Sequence, residues 1–375
     1  MKTRAAVLRE MGRATPYAQS RPFSIETLTL NDPGPGEVLV QIASAGLCHS
    51  DLSVIDGSRP RPMPMVLGHE ASGVVRALGP GTRGIEVDDH VVFSFMPICG
   101  VCAMCSVGRP ALCERGAQTN AAGTLLSGAR RLADADGQPV SHHLGVSAFA
   151  EYTVAAQESL VVIDRAFPLD LAALFGCAIL TGVGAVITTA RVEAGASVAV
   201  FGLGGVGLSA VMGAKLAGAH PIVAVDLLAS KRELALTLGA THAVDASGGD
   251  AATQVRAITG GGAHYAFEVV GSERVLAEAY AATRRGGTTV TVGLPGPQKM
   301  LSVPAVTITA EERVIRGSFM GSAVPRRDLP RLMGLYQAGA LPVDALLTRT
   351  IALDAINEGF DALASGAAVR QLIRF

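Results

Sequence analysis

The region from about residue 195 to residue 293 alternates short apolar segments with helical patterns. We predict strands at "SVAVFG", "PIVAVD", "HAVD", "YAFEVV" and "TTVTVG", with a helix after each of the first four. Strands joined through helices run parallel, because each helix returns the chain to the end of the sheet from which it left. This alternation therefore predicts an α/β domain with a doubly wound parallel sheet covered by helices on both faces.

A glycine-rich turn follows the first of these strands. The segment "GLGGVG" has the spacing G-x-G-x-x-G, and it opens the next predicted helix. In that position, backbone N–H groups can approach a pyrophosphate at the positive end of the helix. The residues that we assign to cofactor binding here are Gly202, Gly204, Gly205, Val206 and Gly207.

An acidic residue, Asp226, ends the next predicted strand. A carboxylate at this point would accept hydrogen bonds from the adenosine ribose hydroxyls and would repel a 2′-phosphate. We therefore expect NAD in preference to NADP, with Lys231 within reach of the same ribose. The alternative is a doubly wound domain whose nucleotide site is empty or takes a different nucleotide.

The first 150 residues have a different character. Short β-like segments, among them "EVLVQIAS", "ASGVVRALG", "DHVVFSF" and "FAEYTVA", are separated by turn signals such as "NDPGPGE". After about residue 320 the α/β pattern stops, and "INEGFDALASG" predicts one late amphipathic helix. We expect residues 1–178 and 322–375 to form one β-rich domain and residues 179–321 to form the α/β domain inserted within it.

Composition limits the partners. The chain has 375 residues, a formal net charge of −1 and 17% charged residues, with no run of like charge. Nothing therefore points to nucleic acid or to an anionic membrane surface, and a small molecule is the expected partner. Arg9 and Glu10 interrupt the apolar N-terminus, so we expect no secretion signal and a cytoplasmic protein with reduced thiols. The uncharged stretches 171–190 and 194–214 are interpreted as buried core rather than membrane spans.

Four of the six cysteines fall within fifteen residues, with the spacing C-x2-C-x2-C-x7-C. Four thiolates can close a tetrahedral zinc shell with no open position, which is typical of a structural site. A redox C-x-x-C pair is the weaker alternative, because these residues do not open a helix after a strand. The predicted structural zinc ligands are Cys99, Cys102, Cys105 and Cys113.

The other two cysteines lie far apart, at Cys48 in "GLCHSD" and Cys177 in "LFGCAILTG". Between them, "GHE" contains His69 and Glu70. Two cysteines and one histidine could form an open three-ligand zinc site. Spacing alone leaves open the simpler interpretation, in which each cysteine is a small buried side chain and the histidine is a hydrogen-bonded polar residue.

Seven features in unbroken order resemble the zinc-dependent alcohol dehydrogenases of the medium-chain dehydrogenase/reductase superfamily. They are "GLCHSD", "GHE", the four-cysteine loop, "GCAILTGVGA", "GLGGVG", Asp226 and "INEGFDAL". The resemblance implies a GroES-like β-rich catalytic domain that carries two zinc ions, with an inserted Rossmann domain for NAD. It further implies that Cys48, His69 and Cys177 bind the catalytic zinc.

The resemblance also assigns roles to residues around that zinc. Asp51 is expected to orient the ligating histidine, Glu70 to lie near the metal, and Ser50 to begin removal of the substrate proton. The remaining assignments are His49 and Arg370 at the cofactor pyrophosphate, Thr181 and Val206 at the nicotinamide end, and Phe95 in the substrate pocket.

The implied reaction interconverts an alcohol and its aldehyde or ketone, by hydride transfer to and from NAD. Two departures matter. Ser53 stands where the proton relay of animal enzymes ends in histidine, so we expect His49 or a water molecule to complete the relay. Arg59 and Ala117 replace the acidic residue and the arginine of the glutathione-dependent formaldehyde dehydrogenases, which disfavours a glutathione adduct as substrate.

The segment from Gly116 to Gly145 is as long as in dimeric members of the family, which favours a homodimer joined through the Rossmann sheets. Two alternatives stay open. The chain could be a zinc-free quinone reductase of the same superfamily, which the six cysteines at ligand positions argue against, or a non-catalytic protein that binds zinc and NAD.

Overall fold

The computed structural model describes residues 1–375, which group by their contacts into two compact units. The first unit comprises Met1–Cys177, Val324–Gly334 and Val343–Phe375, and the second comprises Ala178–Ala323 and Leu335–Pro342. The last of these segments differs from the sequence-based division, which assigned all of residues 322–375 to the first domain. The α/β pattern of the sequence stops near residue 320, and nothing in the pattern beyond that point indicates that Leu335–Pro342 contacts the second unit.

Eighteen strands form three sheets. In chain order they are β1 (Lys2–Leu8), β2 (Phe23–Leu30), β3 (Glu37–Gly46), β4 (Met65–Val66), β5 (Glu70–Leu78), β6 (His90–Phe93), β7 (Leu132–Ala133), β8 (Pro139–His142), β9 (Tyr152–Ala156), β10 (Leu160–Ile163), β11 (Val198–Phe201), β12 (Ile222–Asp226), β13 (His242–Asp245), β14 (Ala263–Glu268), β15 (Thr283–Thr291), β16 (Val314–Gly317), β17 (Leu347–Ile351) and β18 (Arg370–Arg374).

Helices connect many of these strands. They are α1 (Tyr17–Ser20), α2 (His49–Ile55), α3 (Ala103–Ser106), α4 (Glu114–Ala122), α5 (Leu169–Ala190), α6 (Gly205–Leu216), α7 (Ala229–Leu238), α8 (Ala251–Ile258), α9 (Glu273–Ala282), α10 (Ala305–Ala310), α11 (Pro325–Gln337) and α12 (Ile356–Ala364). Short 3₁₀ segments lie at Pro110–Leu112, Gln157–Ser159, Ala246–Gly248, Met320–Ser322, Val343–Leu346 and Leu353–Ala355.

The first unit contains a closed barrel and a seven-stranded sheet. The barrel has the order β1-β2-β7-β8-β4, and the sheet has the order β10-β6-β5-β3-β18-β17, with β9 also paired to β3. In β3, Val38, Val40 and Ile42 alternate into the core, as expected of a strand with one buried face. The C-terminal strand β18 lies antiparallel to β3, with Leu372 opposite Gly46, so the first and last parts of the chain share one sheet.

The second unit is built on a six-stranded parallel sheet with the order β13-β12-β11-β14-β15-β16. This is the doubly wound order in which the first strand lies at the centre and the chain builds outward on both sides. All four residues of β11 are buried, as expected of a central parallel strand covered on both faces. The predicted α/β sheet is therefore confirmed, and β16 forms one edge, paired only with β15.

One helix, α5, is long and apolar enough to cross a membrane by length and composition alone. Its mean hydropathy is 2.2, but 78% of the apolar window is buried inside the protein. Such burial is typical of a core helix. Two stretches of α5, Phe175–Ile179 and Ala185–Ala190, have π-helical hydrogen bonding.

Candidate active site and metal centres

Three potential metal ligands from separate parts of the chain converge in the first unit. Cys48 precedes α2, His69 lies between β4 and β5, and Cys177 lies in the first π-helical stretch of α5. Their ligand atoms all lie within 4.8 Å of one another, and Cys177 Sγ is 3.5 Å from His69 Nε2. Tetrahedral zinc with ordinary Zn–S and Zn–N bonds places sulfur and nitrogen about 3.6 Å apart. The three donors therefore fit zinc with a fourth position left for another ligand.

Local backbone geometry presents two of these ligands. Gly68 has φ of +89°, and a Cβ there would lie 2.7 Å from the Phe149 backbone nitrogen, so only glycine fits directly before His69. The π-helical stretch widens the turn that carries Cys177, a distortion that often occurs at functional sites. Both ligands thus depend on unusual backbone conformations that their neighbours stabilise.

Asp51 fixes the orientation of the histidine. Its Oδ1 lies 3.1 Å from His69 Nδ1 and accepts a hydrogen bond of 3.2 Å from the Gly68 backbone N–H. Burial alone would raise the pKa of this carboxyl group, but the imidazoles of His69 and His143 lower it. With Nδ1 engaged by a carboxylate, Nε2 of His69 is directed toward the two thiols, as a metal ligand requires.

His143 is a member of this cluster that the sequence analysis did not identify. Its Nδ1 lies 3.2 Å from Asp51 Oδ1, although not aligned as a hydrogen bond, and its ring stands perpendicular to the His69 ring at 5.6 Å. The side chain is buried. The only signal in the sequence was the histidine pair in "SHHLG", which by spacing alone is uninformative.

Glu70 and Arg370 lie beside the ligands. Burial raises the pKa of Glu70 to about 7, and Arg370 opposes that shift. Arg370 Nη1 is 3.8 Å from Glu70 Oε2 and donates to the Leu47 carbonyl oxygen at 3.4 Å. The arginine that the resemblance assigned to the cofactor pyrophosphate thus lies 3% exposed within the first unit, next to Glu70.

The remaining predicted residues of the first unit surround the same centre. His49 is exposed and Ser50 half-buried, both in the first turn of α2. Ser53 Oγ donates a hydrogen bond of 2.9 Å to the His49 carbonyl oxygen. Phe95 is buried, with its ring perpendicular to that of His69 at 5.6 Å. Phe95 therefore lies close enough to restrict the space beside the His69 imidazole.

The four-cysteine loop forms a second cluster between β6 and β7. Its four Sγ atoms lie within 4.8 Å of one another, and no cysteine is in a disulfide. Cys113 is fully buried, and its Sγ accepts hydrogen bonds from the backbone N–H groups of Cys99 and Gly116 at 3.3 and 3.4 Å. Four sulfur donors supply a complete tetrahedral shell, so this cluster fits a zinc with no open position.

The glycine-rich turn in the second unit has the form that a pyrophosphate requires. Gly204 caps α6, and no side chain occupies the free N–H groups of the first turn. A Cβ at Gly207 would overlap the Gly202 carbonyl oxygen, so the close approach requires glycine. Asp226 Oδ2 accepts from the Leu203 N–H at 2.7 Å, which ties the turn to the end of β12.

Two other predicted cofactor residues lie together in the second unit. Gly182 allows α5 to approach the Val206 carbonyl oxygen closely, which brings Thr181 beside the glycine-rich turn. Thr181 Oγ1 is buried and has no hydrogen-bond partner. A buried hydroxyl without a partner is costly, and a bound dinucleotide could supply that partner. The free N–H groups at the start of α6 fit the same ligand. Lys231 lies half-buried in the first turn of α7.

Comparisons with known proteins agree with this architecture. The alcohol dehydrogenase GroES-like domain family matches residues 34–165, and the zinc-binding dehydrogenase family matches residues 205–338. The chain is 41% identical to the NDMA-dependent alcohol dehydrogenase of Amycolatopsis methanolica, over 100% of this chain and 99% of that protein.

Two solved structures are also similar. An alcohol dehydrogenase zinc-binding domain protein from Burkholderia ambifaria has a TM-score of 0.93 and 38% identity, and benzyl alcohol dehydrogenase from Acinetobacter calcoaceticus has a TM-score of 0.92 and 34% identity. Each comparison covers 100% of this chain and 99% of the other. The chain therefore belongs to the zinc-dependent alcohol dehydrogenases of the medium-chain dehydrogenase/reductase superfamily, and is an oxidoreductase of alcohols and aldehydes.

Proposed function

We propose that this protein is an NAD-dependent alcohol dehydrogenase with one catalytic and one structural zinc ion per subunit. The observation that carries the proposal is the convergence of Cys48, His69 and Cys177, with Asp51 bound to the far side of the imidazole. Two thiolates and a neutral imidazole offset the charge of a divalent metal and leave one position for an alcohol or carbonyl oxygen. When bound, zinc supplies Lewis acidity and the nicotinamide accepts the hydride.

The chain's own residues supply proton transfer and orientation. Ser50, two residues after Cys48, is proposed to accept the proton of the substrate hydroxyl. The hydroxyl of Ser53 is engaged, because it donates to the His49 carbonyl oxygen. The exposed imidazole of His49 is therefore proposed as the group that passes the proton to solvent. Asp51 acts as a positioning residue by holding His69, and Phe95 restricts the space beside that ring.

The preference for NAD rests on Asp226 at the end of β12. Its Oδ1 accepts from the Leu228 N–H at 2.9 Å, so the carboxylate is held between the loops that follow β11 and β12. A negative charge held there would oppose the 2′-phosphate of NADP. The free N–H groups at the start of α6 and the Thr181 hydroxyl are proposed to bind the pyrophosphate and the nicotinamide end respectively.

Metal content and turnover test this proposal together. Metal analysis should find two zinc ions per subunit, and the protein should reduce NAD in the presence of primary, aromatic or secondary alcohols. NADP and NDMA should be tested separately as acceptors, because one relative is named for NDMA dependence. Comparison with NAD then shows which acceptor the protein uses. The absence of zinc would favour a quinone reductase, and zinc-loaded protein without any turnover across the alcohol and aldehyde panel would favour a non-catalytic binding protein.

A homodimer through the edge of the parallel sheet is also proposed. Strand β16 pairs only with β15. Val314 in β16 is 40% exposed, and two apolar side chains in the segment between β15 and β16 are exposed as well, Met300 at 81% and Val306 at 70%. An unpaired edge beside exposed apolar residues is a surface that soluble proteins usually cover. The mass in solution should be that of a dimer, and Val314→Lys should shift it toward a monomer.

Free thiols and no disulfide are consistent with a cytoplasmic enzyme.

A further inference from the structure

The segment that follows β6 lies beside two of the three converging residues. Gly176, directly before Cys177, approaches it so closely that a Cβ there would lie 2.6 Å from the Phe93 carbonyl oxygen. Further along the segment, the Phe95 ring stands perpendicular to the His69 ring, with 5.6 Å between the two centroids. The position of this backbone segment therefore determines how far the Phe95 ring reaches toward His69.

The carbonyl group of Phe95 lies beyond the end of the sheet. Strand β6 ends at Phe93, opposite Leu160 of β10. A buried backbone carbonyl outside a strand still needs a hydrogen-bond donor. Asn120 supplies one, because its side-chain Nδ2 donates to the Phe95 carbonyl oxygen at 2.8 Å in a buried contact.

Asn120 belongs to helix α4, which packs directly on the same segment. A Cβ at Gly116, one turn earlier in α4, would overlap the Pro97 carbonyl oxygen and would lie 2.8 Å from Met96 Sδ, so this close approach requires glycine. The first turn of α4 is also fixed at Cys113, whose Sγ accepts from the Gly116 N–H at 3.4 Å. Asn120 therefore donates from a helix that is held against the segment and at the four-cysteine cluster.

The side chain of Asn120 is buried at a cost. Its Oδ1 is buried and has no hydrogen-bond partner. An apolar side chain at this position would avoid the penalty of an unpaired buried acceptor. The hydrogen bond that offsets this penalty is the one from Nδ2 to the Phe95 carbonyl oxygen. The contribution of the buried amide therefore comes from the donor that holds Phe95.

We propose that Asn120 is a positioning residue for substrate specificity, which holds the Phe95 backbone and thereby fixes the space left for an alcohol beside His69. This inference rests on the proposed dehydrogenase function and identifies a determinant of its substrate range. Asn120 acts through Phe95 and not on the reacting atoms. Without the bond, the segment after β6 is free to shift, and the Phe95 ring excludes larger alcohols less effectively. In an apolar pocket, room for one methylene group changes kcat/KM about 10- to 200-fold.

The test compares the substrate range of three variants. Asn120→Leu keeps a branched side chain but removes the donor, and Asn120→Ala removes the amide without adding apolar bulk. Gln118→Leu is the matched control, because it replaces an exposed amide on the same helix. For each protein, kcat/KM is measured with NAD for straight-chain primary alcohols of increasing length and for benzyl alcohols with 4-substituents of increasing size.

Both Asn120 variants should shift the ratio of kcat/KM between large and small alcohols toward the large ones by about tenfold. Gln118→Leu should keep the wild-type ratio. A ratio between two substrates does not depend on the fraction of enzyme that is folded or loaded with zinc, so a loss of stability alone would not change it. An unchanged ratio in both Asn120 variants would overturn the inference and leave the dehydrogenase function intact.

A double-mutant cycle tests whether Asn120 acts through Phe95. Phe95→Ala removes the ring whose position the bond is proposed to fix, so adding Asn120→Leu to Phe95→Ala should not shift the ratio further. An equal shift with and without the ring would show that Asn120 acts on another part of the pocket, and this result would overturn the inference.

A binding measurement separates this inference from the proposed function. Calorimetric titration of the zinc-loaded protein with the same alcohols gives their affinities without turnover. A shift of affinity toward larger alcohols in Asn120→Leu supports the positioning role even for a protein that proves inactive with NAD. The same order of affinities in wild type and in both Asn120 variants would overturn it.

Discussion

Replacing Asp51 with asparagine should weaken one zinc site and leave the other unchanged. Asparagine retains the size of the side chain and an oxygen that can accept from the Gly68 N–H. It removes the negative charge that lies 3.1 Å from His69 Nδ1 in a fully buried position. The imidazole then loses the partner that fixes its tautomer and raises its basicity as a ligand.

The expected magnitude follows from that contact. A hydrogen bond involving a charged group contributes about 1.5–3 kcal/mol, and loss of an outer-shell partner of a metal ligand lowers metal affinity about 10- to 100-fold. The two figures agree, since each tenfold change corresponds to about 1.4 kcal/mol. We therefore expect Asp51→Asn to release the zinc held by Cys48, His69 and Cys177 at a chelator concentration about 10- to 100-fold lower than wild type.

A competition titration with a chromophoric chelator measures both zinc ions in one experiment. The four-cysteine cluster does not include Asp51, so its zinc serves as an internal reference in the same sample. Asp88→Asn is the matched control, because Asp88 pairs with Arg76 on the surface and asparagine tolerates its φ of 67°. Equal retention of both zinc ions in Asp51→Asn, or equal loss of both, would refute the reasoning.

Three other changes test separate parts of the structure. Burial lowers the pKa of His142 from 6.5 to about 4, so the unfolded chain binds this proton more tightly than the folded chain. The free energy of unfolding should therefore fall by up to about 3 kcal/mol as pH decreases across that interval. Urea unfolding of His142→Gln, whose amide can still accept from the Arg131 N–H, should show a smaller loss. His49→Ala should shift the pH–rate profile and weaken cofactor binding, and a variant identical to wild type in both would exclude His49 from the relay. Cys105→Ser should lose the structural zinc and several degrees of thermal stability before it loses turnover per bound catalytic zinc, and a fully folded variant with both zinc ions but no turnover would contradict this role.

Much of the fold was predictable because its signals are local. The strands β11 to β15 and the intervening helices α6 to α9 follow from hydrophobic periodicity within short windows. The glycine-rich turn could be identified because the strand, the turn and the helix are contiguous in sequence. The four-cysteine cluster is local as well, since its members lie within fifteen residues and the loop between them limits how they can be arranged.

The cluster of Cys48, His69 and Cys177 depends on the tertiary structure. His69 and Cys177 are 108 positions apart, and spacing alone could not distinguish them from ordinary buried side chains. They meet because β3, β5 and the first part of helix α5, Leu169–Leu174, pack together in the first unit. The resemblance to a family proposed this ligand set, whereas the 3.5 Å contact between Cys177 Sγ and His69 Nε2 gives it a physical basis.

The sequence by itself determined the parallel sheet, the glycine-rich turn and the cysteine loop, because short-range periodicity and spacing specify them. Only the tertiary structure decided that His143 lies against Asp51 and that the Nε of Arg61 is buried without a partner. Both properties depend on which distant segments exclude water from a side chain, and local sequence patterns do not contain that information. Residue types limited the chemistry available to this chain, whereas packing determined which charges remain without a partner.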